Sequence, residues 1–299
     1  MKSNYRYIVK AFMAMAVIAG TTSCDDFLDR EPMSSISPET YYSTAAQLEA
    51  NLNDEYPNVL PSFGQWTYGI FGEDKGTDNQ IEVNANDRYT QDRWKVPHSE
   101  SDNWKFERIY RINFFLSEAL PKFGEDMSGS QNTISGSVAT IKHYIGEMYF
   151  LRAYEYFKKL QLFGDFPIID QPLADEMEAL REASKRFPRN EVARFIISDL
   201  DKAYAYMSDV DMATTRINKD VAMLVKSRVA LFEATWLQNF KGTAFVPGGE
   251  GWPGASLHNN YQYPSGNLDN EVKYFLEQAV EASKLVADKY KGNLTENTG

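Results

Sequence analysis

The stretch VATIKHYIGEMYFLRAYEYFKKLQLF, residues 138–163, is followed by GDFP at residues 164–167 and decides the fold class of this chain. Its apolar side chains recur at helical spacing, and further Tyr, Leu and Phe residues widen the apolar stripe. The pattern predicts a long helix that is buried on more than one side. Gly164 and Pro167 predict where it ends, since glycine closes helices and proline cannot continue them. We therefore interpret the GDFP turn as a helix stop rather than a binding site.

A single arginine, Arg152, lies on the mostly apolar face of this helix. A buried guanidinium group has to be paired, because an isolated buried charge is strongly disfavoured. We predict that Arg152 forms a structural ion pair or clamps backbone carbonyls within the helical stack, and that it does not contact a ligand.

Five other segments show helical periodicity on either side of this stretch. They are residues 40–54, 104–120, 192–207, 218–236 and 272–290. Thr40 and Asn218 are suitable N-caps for two of them, and no alternating strand pattern runs for more than a few residues. The sequence predicts an all-α fold of helical hairpins similar to tetratricopeptide repeats, decorated by long loops. The longest predicted loop regions are residues 57–103 and 241–270.

The N-terminus has the features of a secretory signal. Three basic residues accompany the apolar run AFMAMAVIAG at residues 11–20, and small residues then precede Cys24, the single cysteine of the chain. The run is shorter than the roughly 20 residues that a membrane-spanning helix needs. We predict a lipoprotein signal peptide at residues 1–23, acylation of Cys24, a tether at residues 24–39 and a helical domain at residues 40–299. An ordinary signal with an incidental cysteine is the alternative.

The chain is acidic, with a formal net charge of −11. Removal of residues 1–23 takes away three basic residues and leaves 28 basic against 42 acidic residues, a net charge of −14. Such a body argues against nucleic-acid binding, which needs a basic face. Aromatic residues make up 14% of the chain, more than packing normally requires, so we expect some of them to contact a ligand.

The sequence offers little support for catalysis, a metal site or a cofactor. No two of the three histidines (His98, His143 and His258) are spaced as a zinc pair, and the acidic run 73–79 lacks a full calcium-loop pattern. The segment GASLH at residues 254–258 lacks the second glycine of a nucleophile elbow, and there is no phosphate-binding glycine motif. We expect no catalytic residue, metal or cofactor, although a surface hydrolase with two converging carboxylates remains a third option.

The candidate ligand-binding residues lie in the two predicted loop regions. Sugars pack their C–H faces on flat aromatic rings while their hydroxyls bond to polar side chains. Trp94, Asp78 and Trp252 lie in loops that combine both kinds of residue, and we predict that they bind ligand. The alternative is that these aromatics fasten the loops to the helical body. Trp104 and Trp236 lie on helical stripes and are predicted to belong to the core.

Four segments resemble the SusD/RagB family of outer-membrane lipoproteins. They are CDDFLDREP at residues 24–32, WKFERIYRINFFL at 104–116, GEMYFLRAYEYFKKLQLFGDFPIID at 146–170, and a pair of helical segments at 187–207 and 217–236. The third segment is the most specific, and together the four cover most of residues 24–240 in the order of the family. Family members are typically much longer than these 299 residues, so we expect residues 40–299 to be a truncated N-terminal helical domain, either part of a longer protein or a truncated gene product that lacks the C-terminal region.

The resemblance implies a non-enzymatic protein that captures oligosaccharides, or other oligomeric nutrients, for import through a SusC-type TonB-dependent transporter. It also implies a lipid anchor in the outer membrane and exposure on the cell surface. A tetratricopeptide-like structural adaptor that binds protein or peptide is the alternative from a different class. An exposed aromatic row in the loops would favour glycan capture, and a bare groove between helices would favour the adaptor.

Overall fold

The computed structural model describes residues 41–61, 80, 103–124, 126–208 and 212–293. Contacts divide the chain into two units, residues 1–41 and 42–299, and every element described below belongs to the second. The described residues form helices and no β-strand, which confirms the all-α prediction. The α-helices are α1 (Ala45–Val59), α2 (Glu107–Phe123), α3 (Val138–Phe163), α4 (Met177–Ala183), α5 (Arg189–Tyr206), α6 (Lys219–Asn239) and α7 (Leu268–Tyr290).

The helices pack one against the next in chain order, apart from the short α4. Helix α3 contacts α1, α2 and α5 and is therefore central to the first half of the stack. Helix α5 in turn contacts α6, and α6 contacts α7. Leu151 of α3 is fully buried, as expected for a helix covered on several sides. Gly146 of α3 allows the close approach of α5, because a Cβ atom there would lie 2.8 Å from the backbone nitrogen of Met207.

Helix α3 has the bounds that its sequence predicts, and local signals set both ends. The side chain of Ser137 accepts a hydrogen bond from the backbone of Thr140 at the start. At the end, Gly164 has a φ of 68° and its N–H donates to the carbonyl of Leu160. The positive φ explains the need for glycine. The prediction of a helix stop at the GDFP turn is confirmed.

Two details of the predicted helices are wrong. The N-cap of α1 is Thr44 rather than Thr40, since Thr44 and Gln47 exchange reciprocal side-chain-to-backbone hydrogen bonds in a capping box. Helix α1 also continues to Val59, five residues past the predicted end. In addition, the seven-residue helix α4 was not predicted, because none of its residues is buried and it therefore has no apolar stripe.

Buried ion pairs cross the helix interfaces. Arg152 of α3 donates two hydrogen bonds to the carboxylate of Asp199 of α5, at 2.6 and 2.8 Å. It also donates to the side chain of Asn113 and to the carbonyl of Asp170, both at 2.9 Å. The predicted structural ion pair of Arg152 is thus confirmed. Analogous pairs join Arg189 to Glu233, Arg194 to Glu271 and Arg216 to Glu147.

An aromatic cleft as the candidate binding site

A cleft of about 820 Å³ opens where the end of α3, the start of α5, the end of α6 and the loop after α6 converge. We call it the aromatic cleft. Its lining includes Leu162, Asp165, Arg186, Trp236, Phe245 and Trp252. These residues are up to 90 positions apart in the chain, so the helix packing described above is what brings them together.

Trp236, Phe240 and Phe245 form a row of contacting aromatic rings, and the first and last of them line the cleft. The ring centroids of Trp236 and Phe240 lie 4.5 Å apart, and those of Phe240 and Phe245 lie 5.6 Å apart. The indole N–H of Trp236 donates to the carbonyl of Phe245, which fixes the loop against the helix. Phe245 is 61% exposed, and Leu162 and Leu257 on the same cleft are also exposed. The row therefore presents a large apolar ring to solvent on a firm support.

The floor of the cleft is polar and internally bonded. The carboxylate of Asp165 accepts the indole N–H of Trp252 at 2.7 Å and the backbone N–H of Arg189 at 2.9 Å. Burial raises the pKa of Asp165, and these hydrogen bonds and the nearby guanidinium groups offset only part of the rise. Arg189 in turn donates to Glu233 and lies 4.1 Å from the ring centroid of Trp236. Such fully engaged groups hold a preformed shape.

Arg186 differs from these groups because its side chain is exposed at the edge of the cleft. Its guanidinium carbon lies 4.5 Å from the ring centroid of Trp104. The backbone carbonyl of Arg186 is 2.8 Å from Nε2 of His258, which ties the segment before α5 to the loop after α6. The guanidinium group of Arg186 is therefore positioned by its contact with the ring of Trp104 and by the hydrogen bond that joins the Arg186 backbone to His258.

The structure places one of the three predicted ligand residues in this cleft. Trp252 lines the wall but is only 5% exposed, and its N–H is already bonded to Asp165. Trp94 and Asp78 lie outside the described residues, and the ligand role of all three stays a prediction. Tyr261, from the same predicted loop region, bonds through its hydroxyl to the buried Asn190 and so fastens the loop to α5.

Several residues of the cleft, Asp165, Arg186 and Trp236 among them, were not singled out as ligand contacts in the sequence, and the GDFP turn that carries Asp165 was interpreted as a helix stop rather than a binding site. Trp236 lies on a helical stripe and was predicted to be core, yet it is half-buried with its ring at the cleft wall. Its position near the end of α6, beside a loop, was the available signal. Arg186 carried no local signal. Trp104 is half-buried among Phe106, Phe163 and Phe166.

The described residues contain no group of three or more His, Cys, Asp or Glu side chains that is suited to a metal ion. Pro253–Ser256 forms a short 3-10 turn inside a loop, so Ser256 does not sit on the strand-turn-helix of a nucleophile elbow. The acidic run 73–79 lies outside the described ranges. None of the helices in those ranges is long and apolar enough to cross a membrane.

The stacked helices place this chain among helical-repeat proteins. The aromatic cleft at their ends and loops is a concave site of the kind that binds small ligands. Comparison with known families makes this assignment specific. The model of the SusD-like family, described as starch-binding and associating with the outer membrane, matches residues 26–231. The match covers well over half of the chain, and the chain belongs to the SusD-like family.

Individual relatives agree with the family. SusD-like protein P2 of Formosa agariphila is 25% identical in an alignment of 253 residues that covers 81% of this chain and 46% of the relative. SusD-like protein P25 of the same organism is 25% identical in an alignment of 233 residues that covers 72% of this chain and 41% of the relative. The solved structure of a SusD-like carbohydrate binding protein from Bacteroides vulgatus has a TM-score of 0.50 and 15% identity, and covers 86% of this chain and 47% of that protein. At this identity the structural likeness shows the fold alone. The chain spans less than half the length of these relatives.

Proposed function

We propose that this protein captures oligosaccharides, or other oligomeric nutrients, at the outer membrane and delivers them to a SusC-type TonB-dependent transporter. The observation that carries the proposal is the aromatic cleft, which presents Phe245 in a loop of a SusD-like helical body. The family description as starch-binding and outer-membrane-associated supports a glycan ligand and this location.

The cleft has the chemistry that sugars require. Exposed rings accept the C–H faces of sugars, while guanidinium and carboxylate groups bond to hydroxyls. Its volume of about 820 Å³ falls within the range of roughly 300–1,000 Å³ that is usual for small-molecule sites. A preformed wall also lowers the entropy lost on binding. The exposed ring of Phe245 in the loop after α6, backed by the half-buried rings of Trp236 and Phe240, favours glycan capture over the alternative adaptor role.

The cleft supports binding without chemical change. Hydrolysis of a glycosidic bond normally needs two carboxyl groups that flank the bond. Asp165 is the one carboxyl among the described residues that line the cleft, and both of its oxygens accept hydrogen bonds. Glu233 is buried outside the cleft lining, and its carboxylate accepts hydrogen bonds from the guanidinium group of Arg189. We therefore propose a non-catalytic role that needs no cofactor.

The proposed anchor is an acylated Cys24, with residues 24–39 as a tether that holds the body away from the bilayer. These residues lie outside the described ranges, so the proposal rests on the sequence. Bacterial lipoproteins carry several acyl chains, and more than one chain is needed for stable anchoring. The strongly acidic body is suited to stand off from anionic headgroups.

Calorimetric titration of candidate oligosaccharides into the chain from Cys24 onward tests glycan capture. Phe245→Ala should weaken binding by about tenfold, equivalent to about 1.4 kcal/mol, while the melting temperature stays nearly unchanged because the ring is exposed. Leu224→Ala is the matched control, because Leu224 is an exposed apolar residue of α6 that does not line the cleft. Trp94→Ala tests the sequence prediction in the same way. Unchanged affinity in both Phe245→Ala and Trp94→Ala would remove the aromatic basis of the proposal.

Co-purification tests the transporter partnership. The tagged protein, expressed in its native host, should bring a SusC-type TonB-dependent transporter down from solubilised membranes. Recovery of soluble proteins or peptides without a transporter would instead support the adaptor alternative.

A further inference from the structure

We propose that the aromatic cleft selects acidic oligosaccharides, with Arg186 binding the carboxylate of a uronic acid. This inference rests on the proposed function and names the ligand class of the same site. It is carried by the juxtaposition of one available guanidinium group with an apolar, aromatic cleft wall.

Arg186 is held in a geometry that leaves its hydrogen-bond donors available. Its guanidinium carbon lies 4.5 Å from the ring centroid of Trp104, and its side chain is exposed. A guanidinium group that stacks on a ring still presents its N–H edge outward, and that edge matches a carboxylate with two parallel hydrogen bonds. Stacking also restricts the side chain before the ligand arrives, which reduces the entropy lost on binding.

The charged side chains near Arg186 are already committed to other partners. Lys185 pairs with Glu182, and Arg189 pairs with the buried Glu233. Asp165 uses both oxygens to accept N–H groups of the protein. Arg186 and Arg189 are the cations among the described residues that line the cleft, and Arg186 is the one of the two that forms no salt bridge with a described carboxylate, although its charge also acts on Asp165.

The surroundings strengthen this charge and make it selective. Leu162, Phe245 and Leu257 line the same cleft with apolar surface, and a charge-assisted hydrogen bond is stronger where water is displaced. The chain as a whole carries a net charge of −11, which disfavours anions over most of its surface. Anion binding therefore needs a local cation, and the cleft supplies one beside the rings that receive the sugar faces.

The test uses oligogalacturonates and their fully methyl-esterified forms, which share the same rings but differ in charge. Titrated calorimetrically into the chain from Cys24 onward, the acid form should bind about tenfold more tightly than the ester, with an advantage that shrinks as salt is added. Arg186→Gln should weaken binding of the acid form more than binding of the ester, so that the advantage disappears, and Arg186→Lys should retain part of it. Arg181→Gln is the control, because Arg181 is an arginine of α4 that is 75% exposed and does not line the cleft.

The outcomes separate this inference from the proposed function. Equal binding of acid and ester, or an acid preference that survives Arg186→Gln, overturns the inference, while weakened binding of both probes by Phe245→Ala would keep the cleft as a glycan site. Tighter binding of a sulfated galactan oligosaccharide than of the uronate overturns the assignment of a carboxylate. If neutral and acidic oligosaccharides both fail to bind the unaltered chain, the proposed function and this inference fall together.

Discussion

Replacement of Arg152 by Met should be among the most destabilising single changes in this protein. Arg152 is 3% exposed and donates four hydrogen bonds, to Asp199 (twice), Asn113 and Asp170. Burial disfavours its charge, but the hydrogen bonds and attraction from Asp199 outweigh that effect and raise the pKa of Arg152. The guanidinium group is therefore charged in the folded state, and it donates four hydrogen bonds where five N–H donors are present.

The magnitude follows from what the substitution leaves behind. Arg152→Met removes the counter-charge of Asp199, a fully buried carboxylate whose other cation, the exposed Lys202, is 3.7 Å away. Removing one partner of a buried pair costs about 3–5 kcal/mol, most of it from the uncompensated charge. For a body of this size, each kcal/mol shifts the melting temperature by about 2–4 °C. The expected loss is thus roughly 6–20 °C by circular dichroism or calorimetry.

A double variant identifies the cause. Arg152→Met with Asp199→Leu removes both charges and should recover most of the lost stability, because an apolar pair of similar volume replaces a buried ion pair at little cost. Arg181→Met, in an exposed surface pair, should change stability by less than about 0.5 kcal/mol. A loss below about 1 kcal/mol for Arg152→Met would refute the argument, as would a double variant no more stable than the single one.

Three other predictions concern packing, pH dependence and the anchor. Gly146→Ala should destabilise the fold by about 1–2 kcal/mol in urea titration. The new methyl group would clash with the backbone of Met207, and this cost exceeds the gain in helix propensity. An unchanged or higher urea midpoint of unfolding would contradict the close packing. Burial alone would raise the pKa of Glu271, but hydrogen bonds from Arg194 and other side chains outweigh burial and lower it. Glu271 therefore stabilises the folded state at pH values above its unfolded pKa of about 4.3. This stability is lost as the pH falls through the lower folded pKa. Glu271→Gln should flatten this acid limb of a plot of urea midpoint against pH, and an unaltered limb would exclude the group. Cys24→Ser should abolish labelling by a palmitate analogue and release the protein from membranes, and wild-type protein that is unlabelled and soluble would end the lipoprotein proposal.

The sequence by itself determined the helical body. The periodic apolar stripe predicted the bounds of α3, and Gly164 predicted its end, because the capping glycine acts on the backbone within a few residues of itself. The cap that Ser137 forms at the start is an equally local signal, although the sequence analysis did not use it. Asn218 likewise caps α6 as predicted. The pairing of Arg152 was also predictable, since a charge on a buried face needs a partner, but the sequence did not name Asp199 as that partner. Burial and capping are local consequences of residue type, and so a sequence pattern reports them.

The cleft was decided by the tertiary structure. Its residues come from the ends of three helices and from three connecting loops, and Arg186 has no neighbour in sequence that marks it as part of a site. Trp236 has the helical spacing of a core residue, and what exposes its ring is the end of α6 and the path of the following loop. Conversely, the polar loop around Trp252 predicted an accessible ring, yet Trp252 is buried in the cleft wall and its indole N–H donates to Asp165. Which side of an aromatic residue remains open depends on groups tens of residues away, and that information arises only when the helices pack.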